Sequence, residues 1–428
     1  MNAADTAWML ASTALVLLMT PALGFFYGGL VRAKNSLNTI MMSVAALGFV
    51  GVAWALIGYS FAFAPGSRFL GAPSFAFLRG VGLEAQGTIP HLLFMCYQAT
   101  FAIITAALIS GAIVERMRFG PYLAFITLWS LIVYAPVAHW VWGGGWLAKL
   151  GALDFAGGTV VHINAGAAAL VAAMVLGPRK DYGRQAILPH SVPFTVLGAS
   201  LLWFGWFGFN AGSALGARPS AALAFTNTLF APAATLVVWT LMDLLRTGKV
   251  TAVGGATAIV VGLVAVTPAA GFVGPLGGLA LGALAAFPSY YALLFRARTR
   301  LDDSLDVVAA HGVGGTVGAL LTGVLAQKVW NGATDGALFG NPKQLGIQAV
   351  AVLATIAYSA TLTWGLLKVI AAVAALRAAV PDEGLGLDVS QHGEEAYASG
   401  EGAILILDEP DPPAPAVAPV LRAEGGRS

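Results

Sequence analysis

Charge is what this sequence has least of. Asp, Glu, Lys and Arg make up 10% of its 428 residues, against roughly 25% in an ordinary soluble domain. Hydrophobic residues reach 58% before the 53 glycines are counted. A soluble globule of this length cannot hide so much apolar surface, because much of its outside must be polar. The composition is equally wrong for a disordered chain. Cysteine is confined to Cys96, which excludes a disulfide scaffold. A net charge of +2 offers no basic footprint for nucleic acid. No nucleophile–base pair or metal-ligand constellation stands out, so neither an enzyme nor a metal or other cofactor is expected. What the chain does have is a series of long apolar runs without strand alternation, and a mean hydropathy of +0.80. That combination describes an all-α polytopic membrane protein rather than a barrel.

A helix needs about 20 apolar residues to cross the hydrocarbon core. Eleven runs meet that need, near 6–30, 38–63, 91–114, 120–140, 158–177, 191–213, 221–245, 250–268, 274–295, 305–326 and 345–376. The ninth begins on a loop-like stretch, Gly274-Pro275-Leu276-Gly277-Gly278. With the N-terminus outside, sixteen of the 22 Lys and Arg residues fall in inner loops and the tail, and six in outer loops. The positive-inside rule therefore predicts N-out, C-in. No basic stretch precedes the first apolar run, so no cleaved leader is expected.

The chain divides into a transmembrane part, 1–378, a tail motif, 379–397, and an acidic, proline-rich extension, 398–428. Ten of the 20 acidic residues lie beyond residue 378. The extension is expected to be disordered. Gly384-Leu385-Gly386-Leu387-Asp388-Val389 is compact enough to dock.

Ionisable groups at membrane depth are functional candidates, and the histidines decide here. His91 and His190 start spans, His139 ends one, and His392 is in the tail. His162 and His311 fall inside apolar runs. His162 lies eight residues past Asp154, about 12 Å down the fifth span at 1.5 Å per residue. His311 follows Asp306 in the tenth span, which runs the opposite way. Two spans that each carry an Asp, a spacer, a His and glycines in opposite senses suggest an inverted five-plus-five repeat with its site at the midplane. Each histidine could instead be a packing residue bonded to a neighbouring helix. A metal site lacks a third ligand, because no acid sits at that depth and Cys96 is isolated.

Asp154-Phe155-Ala156-Gly157-Gly158-Thr159-Val160-Val161-His162-Ile163-Asn164, with Val141-Trp142-Gly143-Gly144-Gly145 before it, resembles the signature of the Amt/MEP/Rh ammonium transporter family. Trp206 to Ser213, Thr267 to Gly271, Asp306 with His311-Gly312, and Gly384 with Gly386-Leu387-Asp388 resemble the same family in the same order. The outer tryptophan, Trp142, favours the Amt branch over the Rh branch. The resemblance implies eleven spans, a homotrimer with one pore per subunit in the cell membrane, and ammonium as substrate. It places an outer recruitment site on Trp142, Phe101 and Ser213, and a phenyl gate on Phe101 and Phe209. It places a twin-histidine pore on His162 and His311, and a buried acid on Asp154. The segment 384–397 resembles the part that contacts PII-type signal proteins, so a sensing role stands beside transport. Two features depart from the family pattern, the extension 398–428 and the missing leader. Phe101 also lies ten residues into its span, deeper than a vestibule residue is expected to be.

The chemistry suits such a pore. Aromatic faces attract a cation by about 0.5–2 kcal/mol. A full charge at the bilayer centre costs at least about 2.5–3.5 kcal/mol, whereas neutral ammonia is much easier to desolvate. Asp154 opens the fifth span, where a carboxylate can cap free N–H groups. Capping is its first expected role, with a negative potential for the cation as a by-product.

Overall fold

The computed structural model describes residues 1–397, so the expected extension 398–428 lies outside the described residues. Among the described residues, ten helices are long and apolar enough to cross a membrane. In chain order the helices are α1 (Ala3–Leu30), α2 (Ala33–Phe63), α3 (His91–Ala112), α4 (Phe119–Leu150), α5 (Gly158–Leu176), α6 (Val192–Gly212), α7 (Pro219–Thr247), α8 (Ala252–Val266), α9 (Pro275–Arg296), α10 (Val308–Leu325) and α11 (Pro342–Val373). The expected eighth span is α8, which has 15 residues. Those residues rise about 22 Å, less than the roughly 30 Å hydrocarbon core. The loop-like start of the ninth run is a helix start: Pro275 occupies the first turn of α9. Proline suits that position because its missing N–H would be unpaired there anyway.

Apolar side chains face outward as well as inward. Leu353, Val369 and Val373 on α11 are 66%, 65% and 86% exposed. Such a surface would aggregate in water and is at home against lipid.

The packing of α5 against α10 positions the site. Both helices open with a π-helical turn, Gly158–Ile163 and Val308–Val313, and each turn carries its histidine. A π turn widens the helix locally and is frequent at functional sites. The two helices then cross on glycine. A Cβ at Gly166 would stand 2.3 Å from the Gly312 Cα, and one at Gly315 would stand 3.0 Å from the His162 Cβ. Each histidine thus has a glycine four residues later that receives the other histidine's strand of the crossing.

The acid that matches Asp154 is Asp303, not Asp306. Asp303 Oδ2 accepts the Val308 N–H at 2.7 Å, at the start of α10. It also precedes His311 by eight residues, the spacing of Asp154 and His162. Asp306 turns aside instead, with φ +60°, and its carboxylate lies 2.7 Å from the Arg296 guanidinium.

Charged side chains tie the helix ends together at the end opposite Trp142. Glu115, just past α3, is bridged by Arg32 at 3.0 Å and Arg179 at 2.9 Å. Arg179 also pairs with Asp302 at 2.9 Å. Burial pushes the Glu115 carboxyl up, but the two guanidiniums outweigh it and hold it below the usual range. Burial lowers Arg116 to about 10, against the pull of Asp302. The tail docks on this face through α12 (Val380–Leu385) and α13 (Leu387–His392). Asp388 accepts the Leu37 and Asn38 N–H groups at 3.0 and 2.7 Å, capping α2. Glu383 pairs with Arg377, and Lys34 donates to the Glu383 and Gly384 carbonyls.

Candidate functional site

A cavity of about 280 Å³ opens at the end of the molecule that carries Trp142, and Phe101, Trp142, Ser213 and Gln98 line it. Trp142 sits where the glycine run 143–145 ends the main part of α4. Its indole N–H donates to the Asp154 carbonyl at 2.9 Å, which fixes the ring against the loop before α5. Ser213 closes α6, and its hydroxyl donates to the Phe209 carbonyl at 2.8 Å. The Ser213 proton is therefore engaged, the Tyr97 hydroxyl approaches the same oxygen at 3.3 Å, and a lone pair remains to accept.

Below the cavity the aromatic rings form a continuous file. Phe101 meets Trp142 edge-on at 5.9 Å and stacks on Phe209 at 4.2 Å. Phe209 lies 6.0 Å from the His162 ring. α3 does start at His91, so Phe101 is three turns down, and the vestibule reaches deeper than its depth in the sequence suggests. Phe101 lines the vestibule and Phe209 lines the next space inward, so the stacked pair forms the partition between them.

That inner space is about 10 Å³ and is walled chiefly by apolar side chains, among them Met19, Leu23, Ile104 and Val260. It has room for about one water molecule. His162 and His311 are its polar groups. Their Nδ1 atoms are 3.1 Å apart, and both residues are buried. Trp206 stacks on His162 at 5.4 Å and 22°. The His162 Nε2 has no hydrogen-bond partner among the described residues.

An Nδ1–Nδ1 contact has a chemical consequence. Two neutral imidazoles can make it only if one Nδ1 carries the hydrogen and the other accepts. The outer nitrogens are then unlike: one Nε2 is an acceptor and the other a donor.

The remaining histidines hold structure. His139 contacts the Ala62 and Ser67 carbonyls, His91 the Tyr59 hydroxyl, His190 the Val31 carbonyl, and His392 the Asn38 amide. Asp154 is fully engaged. Its two oxygens accept the N–H groups of Gly157, Gly158, Thr159 and Val160 at 2.7–3.1 Å. No group of three His, Cys, Asp or Glu side chains that could hold a metal ion occurs among the described residues.

Six of the seven residues singled out in the sequence, Trp142, Ser213, Phe101, Phe209, His162 and His311, meet along one path, and Asp154 lies beside it at the start of α5. Three others were not singled out for roles: Gln98, Trp206 and Asp303. Gln98 was visible as an uncharged polar residue within a span, three residues before Phe101. Trp206 sits inside a quoted motif, but nothing in its spacing tells which ring it covers. Asp303 could have been found by matching the spacing of eight.

Residues 7–397 match the family described as the Ammonium Transporter Family. An ammonium transporter of Aquifex aeolicus is 51% identical over 403 residues, covering 93% of this chain and 94% of the relative. Among solved structures, Mep2 of Candida albicans superposes with a TM-score of 0.85 at 38% identity, covering 93% of this chain and 91% of that one. A structure titled Sensor Amt Protein gives a TM-score of 0.85 at 30% identity, covering 91% of this chain and 98% of that one. A chain matched almost from end to end by the family and by its solved structures, and threaded by a histidine-lined path, belongs to the ammonium transporter family.

Proposed function

We propose that the protein carries ammonium across the cell membrane by separating it into ammonia and a proton. Trp142, Phe101 and Ser213 gather the cation at the outer mouth, with the N-terminus outside and the tail in the cytoplasm. Ammonium loses its proton at the Phe101–Phe209 partition. Ammonia crosses past His162 and His311, and the proton passes through the imidazole pair. The observation that carries this reading is the 3.1 Å Nδ1–Nδ1 contact inside an apolar space of about 10 Å³.

A comparison of desolvation costs supports the separation. An intact ammonium ion in that space would have four N–H donors and one free imidazole acceptor, with no carboxylate at that depth. Ammonia carries no charge through it. The proton has a balanced route. It binds the acceptor Nε2 of one ring, that ring passes its Nδ1 hydrogen to the other Nδ1, and the second ring releases its Nε2 hydrogen. The pair is left as the mirror tautomer and must reset before the next proton moves the same way. Potassium has no proton to shed, so the apolar section refuses it.

The test is the current in ammonium and in potassium from reconstituted parent and His162→Ala at equal protein density. The variant is expected to lose ammonium current and to admit potassium more readily. Full ammonium current with potassium still excluded would make the pair structural. The docked tail motif, 379–397, supports a second, compatible reading, in which a PII-type signal protein binds this face of a homotrimer and reads transport.

A further inference from the structure

The path does not end at the histidines. A second cavity, of about 510 Å³, opens at the end opposite Trp142, and Leu30, Thr257, Arg296, Ser304 and Asp306 are in its wall. It follows the inner space along three elements at once. On α1, Phe26 lines the inner space and Leu30, one turn on, lines the cavity. On α8 the pair is Val260 and Thr257. On the third side it is His311 and Asp306, whose positions differ by about 7 Å at 1.5 Å per residue. The cavity is therefore the inner mouth of the same path.

Asp306 supplies a carboxylate to that wall from an unusual backbone. It holds φ +60°, in the left-handed region. In the other half of the molecule the matching position, three residues after Asp154, is Gly157 at φ +114°. Asp306 stands three residues after Asp303. The turn alone asks for glycine, so a side chain kept there has a cost that the turn does not explain. Its Oδ1 lies 2.7 Å from the Arg296 guanidinium and is covered. The side chain is still 23% exposed, so Oδ2 is the oxygen it can present to the cavity. The groups that face it are Arg296 at the end of α9, Asp303 on its own loop, and Arg179 and Tyr182 after α5. Burial, helped by Asp303, raises the carboxyl to about 7 against the pull of the two guanidiniums.

We infer that Asp306 takes the proton from the histidine pair at the inner mouth and returns it to ammonia. This deepens the proposed function and rests on it. The carboxylate accepts the Nε2 hydrogen that the pair releases, across water that a polar cavity of this size can hold. The protonated carboxyl then gives its hydrogen to the ammonia lone pair. The O–H bond breaks, an N–H bond forms, and ammonium leaves a restored carboxylate behind. One proton has then moved for each ammonia. A group that titrates near neutrality suits both transfers. Ammonia is a stronger base than this carboxylate, so the second transfer runs downhill. Arg296 offsets the carboxylate's charge, which keeps the departing cation from being held.

The experiment records ammonium-evoked inward current of the full chain in proteoliposomes, at fixed outer pH and varied inner pH. It compares the parent, Asp306→Asn, Asp306→Glu and His162→Ala. A carboxyl already protonated cannot take the proton from the pair, so the parent's current should fall as the inner pH drops through about 7. Asp306→Asn should cut the maximal current about tenfold or more and lose that inner pH dependence. Its half-saturating outer ammonium should change less than about twofold. A membrane-impermeant buffer at high concentration inside should restore part of its current, because the buffer anion accepts the proton instead. Asp306→Glu should keep the pH dependence. Parent-like current and pH dependence in Asp306→Asn, with current lost in His162→Ala, would leave the proton separation standing and overturn the inference. Full current in both variants would bring down the separation and the inference with it. A lowered current in Asp306→Asn that keeps its pH dependence and ignores the buffer would mean that Asp306 only holds Arg296, which also overturns the inference. Should Asp306→Asn not assemble, Arg296→Gln decides. Without the guanidinium the carboxyl titrates at higher pH, so the inner midpoint should move up by about one unit, and an unmoved midpoint rejects the inference.

Discussion

At the scale of single residues, the acids and histidines near the path differ in what their neighbours leave open. Asp154 has all its acceptor positions directed at four backbone N–H groups. It is therefore a part of the chain's geometry first. The His162 Nε2, by contrast, is without a partner. The difference is testable. Asp154→Asn keeps the shape but turns two N–H donors toward other N–H donors, and Asp154→Ala leaves four without acceptors. Unsatisfied buried groups cost about 1–3 kcal/mol each. Both variants should melt at lower temperature in detergent, Asp154→Ala by more. Parent-like melting of Asp154→Asn with weakened ammonium binding would mean that the charge, not the capping, is what matters.

At the scale of elements, the contact between the two histidines depends on how closely α5 and α10 approach. The crossing leaves no room for a side chain at Gly166, where a Cβ would meet backbone at 2.3 Å. At Gly315 the nearest atom is the His162 Cβ at 3.0 Å, a tight contact that a small shift can relieve. Gly166→Ala should force the helices apart and break the Nδ1–Nδ1 contact, lowering ammonium transport roughly tenfold or more. Gly315→Ala should be milder. Uptake rates of the two variants at equal membrane abundance would check the order, and equal rates would remove the crossing from the mechanism. The same pair of elements marks how far the sequence could be read. An Asp, a spacer, a His and glycines in two runs were enough to place both histidines on mirrored helices. The partner acid was misassigned because Asp306 is the nearer one in sequence, while its φ of +60° turns it to Arg296. A helix start depends on which carboxylate can reach the free N–H groups, and that is a matter of backbone direction. Gln98 went unweighed for a similar reason. Whether a polar side chain in a span is satisfied depends on neighbours from other helices, and no local spacing records them. The eighth apolar run, 250–268, is longer than α8 because Thr251 caps the helix start and Thr267 its end, which leaves two residues of the run outside the helix on each side.

At the scale of the whole molecule, the two ends are built from different materials. The Trp142 end is aromatic and holds a cavity. The opposite end is a lattice of arginines and acids, on which the tail sits like a brace. Glu115 and Asp302 join the ends of α1, α3 and α5 to the approach to α10, and the tail adds α2 through Asp388 and the end of α11 through Glu383 and Arg377. The helix that carries His162 meets the tail segment directly: Arg377 donates to the Leu176 carbonyl at the end of α5 at 3.1 Å, and the Lys180 N–H just beyond it donates to Glu383 at 3.3 Å. The tail's grip comes from residues up to Tyr397, whose hydroxyl meets His190 at 2.9 Å. Removing residues 398–428 therefore takes away none of these contacts and should leave ammonium uptake near the parent rate. Ending the chain at Pro381 removes Glu383 and Asp388 together. Arg377 then loses its partner, and the N–H groups of Leu37 and Asn38 lose their cap, worth about 0.5–2 kcal/mol for the capping alone. This shorter chain should show reduced or unregulated uptake, together with faster proteolysis of the loop between α1 and α2. Uptake and limited proteolysis of both truncations, on protein shown to be folded, would decide the matter. If the longer truncation product, ending at residue 397, already loses transport, the functional boundary lies beyond Tyr397 and the brace is not what couples the tail to the pore.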